Sequence, residues 1–394
     1  MLITYVLLSP TFGMHQYTAD LANRRPSVDG PNPDGPGLQP ATRVVTTANA
    51  PRDRYAAGVE LVTPLTTHGT GFSREGLDIT AYRRVLAAIA RPQPATPDRR
   101  ILHFTGVHAW NVPLVYALRR RGLPVVHTLH DLDPHRGVRF AGAIRLWNRL
   151  IIRSGAHIIV HGRCYRDRLI AAGLAPDRVT FVPLLHGFWG HEAEVGLAAL
   201  EAQEDPAHTR AQPPVALFFG RIEEYKGIDT LLAAWEQLEQ RRGAAGSSDT
   251  AEARLVIAGR VAPGVALPAL PRGVELRDRR IADAEGIELF RQASVLVLPY
   301  RDGTQSALPA VAYRFGLPVI VATSGALAEY VAPGKTGWVV PPGDTPALAS
   351  ALAEALAAPN HLHEMGIAGR LWYHQMRAQE KAALDRLYQQ LIGH

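Results

Sequence analysis

Short aliphatic and β-branched runs recur along the chain, each followed by a stretch whose apolar positions repeat at helical spacing. Runs at 3–8, 43–46, 101–105, 125–129, 157–160 and 179–182 predict one series of strands. A second series is predicted at 215–220, 254–258, 274–277, 295–299, 319–322 and 337–340. Continuous apolar strands separated by helices are the signature of parallel sheets covered on both faces. Each series therefore fits one doubly wound α/β domain.

Other segments read as punctuation. Residues 26–40 are rich in Pro, Gly and Asp and predict a long loop, and residues 241–253 predict a flexible insertion. The polar stretch 192–214 closes on two prolines and reads as an interdomain linker. The expected division is a first domain at 1–191, the linker at 192–214, a second domain at 215–370 and a helix at 371–394 that packs back on the first domain. From His361 onward, Leu384, Leu387 and Leu391 stand at helical spacing.

Length and composition agree with two domains. A chain of 394 residues exceeds one ordinary core, and 47% hydrophobic with 20% charged residues is a globular balance. The single cysteine, Cys164, forms no internal disulfide, which fits a reducing cytoplasm. No apolar run approaches the roughly 18 residues of a membrane span. The opening run, lacking a basic flank and meeting Pro10 early, is expected to be a buried first strand rather than a signal peptide. Charge is uneven. Residues 1–190 carry 23 Arg, no Lys and 12 acidic residues, a net of +11, against −5 for the remainder. Arg145, Arg149 and Arg153 recur every four residues beside Phe140, Ile144, Trp147, Leu150 and Ile151, and Arg119–Arg121 close an earlier helix. Such a basic front half suits an anionic partner, a phosphate-bearing acceptor or a membrane's inner face; no nucleic acid is expected. The bland alternative is a genome that favours Arg, since only three lysines occur.

Four segments at predicted strand ends carry chemical capacity, because ligands of parallel sheets bind beyond the strands' carboxyl ends. Gly13 follows the first strand and precedes a helix, where backbone can approach an anion. His130 ends another strand beside Asp131 and Asp133, placed to bind hydroxyls or exchange protons. Two His and two Asp in this segment also raise a metal site, for which no partner motif exists. Arg221 and Lys226 flank a turn after a strand ending in Gly220, a spacing that suits neutralising a diphosphate without a metal. Finally, Gly303, Thr304, Gln305, Ser306, Ala307 and Leu308 open a helix with small residues whose N–H groups are free for phosphate oxygens. No G-x-G-x-x-G follows a strand, which argues against a nicotinamide enzyme.

The runs FFGRIEEYKGIDTLLAAW, LVIAGR and YRDGTQSALPAVAYRFGLPVIVATSGALAEYVAPGKTGWVVPPGD resemble retaining glycosyltransferases of family 4, in order and spacing. GMHQYTADLANR, VVHTLHDLDPH and IIVHGRCYRDRLIAAG agree more loosely. The resemblance implies the GT-B fold, two Rossmann-like doubly wound α/β domains facing across a cleft. It implies transfer from a nucleotide diphosphate-sugar to an acceptor hydroxyl with retention, and no cofactor or metal. The acceptor class, whether saccharide, lipid-linked or small molecule, stays open. Arg221 and Lys226 match the family's diphosphate-binding pair, and Gly303–Leu308 its phosphate loop. Ile281 falls where the family packs the base, His130 matches a histidine near the donor sugar, and Gly13 the loop over the diphosphate. In the implied mechanism the leaving diphosphate itself assists deprotonation of the acceptor.

The chain departs from that family at two positions. Two glutamates with seven residues between them usually frame the phosphate loop, and Gly303 and Val311 stand there instead. A related subgroup carries a similar Thr-Gln-Ser loop. The alternatives are a non-catalytic nucleotide-sugar-binding protein or partner subunit, and a sugar-nucleotide epimerase, for which Asp131 and Asp133 are the sole front-domain carboxylate pair near a strand end.

Overall fold

The computed structural model describes residues 2–9, 11–24, 41–66, 69–72, 74–91, 100–133, 141–201, 213–244 and 253–393. They form two compact units: one contains the chain up to Asp133, the stretch up to Gly196 and the chain from Arg377 on, the other Leu197–Met376.

The first unit holds a parallel sheet of seven strands in the order β3-β2-β1-β4-β5-β6-β7. These are β1 (Leu2–Val6), β2 (Ala41–Thr47), β3 (Glu60–Leu65), β4 (Arg100–Phe104), β5 (Val125–Thr128), β6 (His157–Val160) and β7 (Val179–Phe181). The second holds six parallel strands, β10-β9-β8-β11-β12-β13. They are β8 (Val215–Phe219), β9 (Arg254–Ala258), β10 (Val274–Arg277), β11 (Val295–Leu298), β12 (Val319–Ala322) and β13 (Gly337–Val340). In both sheets the chain winds outward one way from its first strand, then returns to the other side. The strand order thus reverses between β1 and β4 in one sheet and between β8 and β11 in the other. Strands β1, β5, β6, β11 and β12 are buried at every residue, as sheets covered on both faces require.

The helices are α1 (Phe12–Arg24), α2 (Ile79–Ala90), α3 (Asn111–Arg119), α4 (Ala141–Arg153), α5 (Arg163–Ala171) and α6 (His191–Glu201), followed by α7 (Ile228–Ala244), α8 (Asp283–Gln292), α9 (Leu308–Arg314), α10 (Thr345–Ala357) and α11 (Pro359–Ile392). Two begin with aspartate caps: Ala81 N–H donates to Asp78 Oδ1 at 2.8 Å, and Ala347 N–H to Asp344 Oδ1 at 2.9 Å.

One strand, β3, is absent from the sequence reading. It is an edge strand, half-buried or exposed at all but its last residue, and it contains Pro64. Proline is tolerated at an edge and signals against a strand in sequence. Register on β2 shifts beside it, between Val45 and Thr47. The stretch expected to link two domains opens with α6, whose first turn carries Glu192 and Glu194, favourable at a helix N-terminus. The expected loop at 26–40 and most of the insertion at 241–253 lie outside the described residues; residues 241–244 end α7.

Within the first unit, the end of α11 is tied to α1 by charge. Glu380, 1% exposed, accepts from Arg24 Nη1 at 2.6 Å and Arg377 Nη1 at 2.9 Å. Arg377 also reaches Asp20 at 3.2 Å and donates to the Leu185 carbonyl at 2.6 Å. The two guanidinium groups hold the Asp20 carboxyl well below the usual range against the opposing effect of burial. Leu384, Leu387 and Tyr388 of the same helix are buried.

Candidate functional site

The second unit gathers Lys226 and the phosphate-loop candidates at the point where its strand order reverses. Arg221 and Lys226 follow β8, and Gly303–Leu308 follow the neighbouring β11. The two loops lock together. Arg301 N–H donates to the Tyr225 carbonyl at 2.7 Å. Gly227 adopts φ +70°, and a Cβ there would meet the Pro299 carbonyl at 2.1 Å, so neither handedness nor space admits a larger residue. On the far side, Ala326 N–H donates to the Thr304 carbonyl at 2.9 Å, and Leu308 N–H to Ser306 Oγ at 3.2 Å.

Lys226 differs from an ordinary lysine. It is 9% exposed, and its ammonium lies over the rings of Phe218 and Tyr300, 5.9 and 5.3 Å from their centroids. No carboxylate pairs with it among the described residues. A cation withdrawn from water without a counter-ion is costly and marks a place for an anion. Arg221 is the opposite, 68% exposed and paired to Glu223. Ile281 follows β10 and is half-buried just before α8. Val311, where the family resemblance leads one to expect a glutamate, is buried in α9.

In the first unit, His130 lies two residues past β5 and is buried. Its Nε2 is 3.0 Å from the Thr105 carbonyl, beyond the end of β4. A carbonyl only accepts, so the proton resides on Nε2 and the lone pair on Nδ1. Burial pushes the ring down to about 4. His130 is therefore neutral at physiological pH, and the expectation that it exchanges protons near neutrality is corrected: it offers hydrogen bonds. Gly13 lies within the first turn of α1 rather than in a loop before it, and a Cβ there would meet nothing within 4 Å. Asp133, weighed as half of a carboxylate pair, is held at the surface by Arg168 at 2.6 Å.

The sequence reading missed what surrounds His130. Tyr17 of α1 places its ring edge-on to His130 at 4.8 Å and His161 at 5.1 Å, with His186 at 6.1 Å. The Tyr17 hydroxyl and Thr128 Oγ1 are 3.2 Å apart, and His103 Nε2 is 2.8 Å from the same Oγ1. Burial lowers the pKa of His161, His186 and His103 as well. The available signal was a histidine at or just beyond successive strands: His103, His127, His130 and His161. Among the described residues no group of three or more His, Cys, Asp or Glu is arranged to hold a metal ion. Likewise, none of the described helices is long and apolar enough to cross a membrane.

Comparison with known proteins gives concordant matches. Residues 213–358 match the family model described as glycosyl transferases group 1, and residues 38–184 the glycosyl transferase 4-like domain. A D-inositol 3-phosphate glycosyltransferase 2 of Catenulispora acidiphila is 27% identical over 90% of this chain and 84% of its own. Among solved structures, sucrose-phosphate synthase of Thermosynechococcus elongatus superimposes with TM-score 0.66 at 18% identity, covering 100% of this chain and 99% of that one. Anabaena HepE in complex with UDP-glucose gives 0.63 at 15% identity, with 98% and 99% covered.

Proposed function

This chain belongs to the group 1, family 4 glycosyltransferases of GT-B fold and transfers a sugar from a nucleotide-sugar donor; we propose that its second unit holds the donor's diphosphate where the strand order reverses between β8 and β11. The observation that carries this reading is the buried Lys226 ammonium with no carboxylate partner among the described residues. Arg221, free to swing from Glu223, supplies the second positive charge. Thr304, Gln305, Ser306 and Ala307 border the phosphate oxygens, which Gly303 N–H and Leu308 N–H reach by exchanging Asp302 Oδ1 and Ser306 Oγ for them. Ile281 packs against the base. The UDP-glucose bound by HepE supports a nucleoside diphosphate donor.

In this reading the first domain, residues 1–191, binds the acceptor, while Gly13 serves the donor's diphosphate and neutral His130 its sugar, as the family resemblance implies. Retention follows from front-face departure: the diphosphate oxygen takes the acceptor proton as the sugar bond breaks, while Arg221 and Lys226 stabilise the charge that develops. No protein base is required, and the cations take the place a metal would fill. The relatives' name supports a small phosphorylated acceptor, which the basic first unit would attract.

The test is a screen of nucleotide sugars for thermal stabilisation, followed by transfer assays with inositol phosphates, saccharides and lipid-linked acceptors. Stabilisation by a nucleoside diphosphate that is equal in wild type and Lys226→Ala would refute the site; stabilisation without turnover on any acceptor would favour the non-catalytic binder.

A specific observation supports membrane contact at the cytoplasmic face. On α4, Arg145, Arg149 and Arg153 are exposed, and so is Leu146, at 55%, while Trp147 and Ile151 face the core. Phe140 lies outside the described residues. Absence of salt-sensitive cosedimentation with anionic vesicles would remove this part of the proposal.

A further inference from the structure

Phe218 and Tyr300 come from the two strands that flank the reversal point, Phe218 within β8 and Tyr300 two residues past β11. Both rings are buried, at 0% and 3% exposure, and the Lys226 ammonium lies over each. The third wall is the backbone of Gly220, where a Cβ would stand 3.4 Å from Nζ. Tyr300 is itself braced by Tyr225, edge-on at 6.1 Å. Its hydroxyl is buried without a hydrogen-bond partner among the described residues. A buried hydroxyl without a partner costs stability, which calls for a reason to have the ring there.

The geometry points to Tyr300 as a positioning residue: its ring, with that of Phe218, holds the Lys226 ammonium in place of a carboxylate. This rests on the reading of Lys226 as a diphosphate-binding residue. A carboxylate would hold the cation as well, but it would neutralise the charge and compete with the donor. The negative faces of two aromatic rings attract the ammonium without cancelling its charge. The cation is thereby fixed in a dry site and its full charge is reserved for the incoming diphosphate, the arrangement that makes electrostatic stabilisation effective. The interlock of the two loops, through Arg301 N–H to the Tyr225 carbonyl and the contact of Gly227 with Pro299, keeps the ammonium over the ring.

The chain's three lysines, Lys226, Lys335 and Lys381, make a direct test practicable. With lysine labelled by ¹³C at Cε, the Lys226 signal is assigned by its loss in Lys226→Met. Its ε protons should resonate upfield of those of the other two lysines, displaced by the ring currents. Tyr300→Phe should keep that displacement, and Tyr300→Leu should lose much of it. Titration with UDP should move the Lys226 signal, with wild-type affinity in Tyr300→Phe and about tenfold weaker binding in Tyr300→Leu, the effect of one desolvated aromatic contact. A Lys226 signal in wild type that lies with the other two overturns the proposal without any substitution at Tyr300. Tyr300→Leu that keeps wild-type UDP affinity, or Tyr300→Phe that loses as much as Tyr300→Leu, overturns it too. An upfield Lys226 that ignores UDP in wild type refutes the diphosphate reading instead and leaves the aromatic hold standing.

Discussion

A Cβ at Gly220 would lie 3.4 Å from the Nζ of Lys226, and the glycine itself adopts φ +113°. The backbone ending β8 thus walls the Lys226 ammonium, the centre of the proposed diphosphate site. Gly220→Ala should cost about 1–3 kcal/mol through its left-handed backbone alone. It should also displace the ammonium, lowering turnover beyond what the stability loss explains. The check is turnover and a thermal melt on the same sample, both below wild type; normal turnover in the folded fraction would show that the wall is not part of the site.

Replacing Lys226 should separate function from stability. Loss of one electrostatic contact to a developing charge costs about 3–4 kcal/mol at the transition state, a hundred- to thousandfold in rate. From the sequence, Lys226 is expected to have its ammonium at a cleft and to contribute little to the core, so that its removal hardly affects folding. Because the ammonium is buried and lacks a counter-ion, Lys226→Met should instead melt at or above the wild-type temperature while losing transfer, as active-site residues held at a cost to the fold do. A lowered melting temperature with retained turnover would contradict both halves. Arg221→Ala, at an exposed position, should lose rate with a stability change within about 0.5 kcal/mol.

Transfer should survive chelation. In the proposed site, Arg221 and Lys226 supply the positive charge that a divalent cation otherwise brings to a diphosphate. Turnover lost in EDTA and restored only by magnesium or manganese would show that the cations are insufficient.

Acid should weaken the fold through its buried histidines. Burial pushes His15, His130 and His157 from 6.5 down to about 4, and His127 to about 3. Between these values and 6.5 the unfolded chain binds protons that the folded chain refuses. Stability is therefore complete above about pH 6.5 and declines as pH falls toward 4, by at most about 1.4 kcal/mol per pH unit for each ring. Urea midpoints measured from pH 7 to 4.5 should fall, and the fall should be shallower in His157→Gln. An unchanged slope in that variant would mean that His157 is not buried neutral.

Glu380 should prove essential to the first unit although it lies near the chain's end. It is 1% exposed and neutralises Arg24 and Arg377. Glu380→Ala leaves both guanidinium groups facing a single carboxylate, Asp20. Breaking a buried pair costs about 3–5 kcal/mol, and the partial exposure of both arginines reduces this to roughly 2 kcal/mol. Chemical denaturation reads the loss directly, and a variant within experimental error of wild type would show that the cluster is solvent-screened.

Of the thirteen strands among the described residues twelve were legible in the chain, the central ones because a strand buried on both faces must be apolar throughout, and that demand is local. Arg221, Lys226 and Gly303–Leu308 could be chosen for the same reason: strand ends can be located by pattern, and ligands bind beyond them. The edge strand β3 escaped because half-burial and Pro64 leave no such demand. What tertiary structure alone decided is electrostatic environment. Lys226 and Arg221 are both cations after one strand, yet the first is buried over two rings and the second is in water. His130 was visible, but not its neutrality, nor the ring of Tyr17 that touches it, since α1 and β5 are far apart in sequence. Hydrophobic periodicity is set by neighbours along the chain; dielectric and charge partners are set by neighbours in space, and only the folded chain selects them.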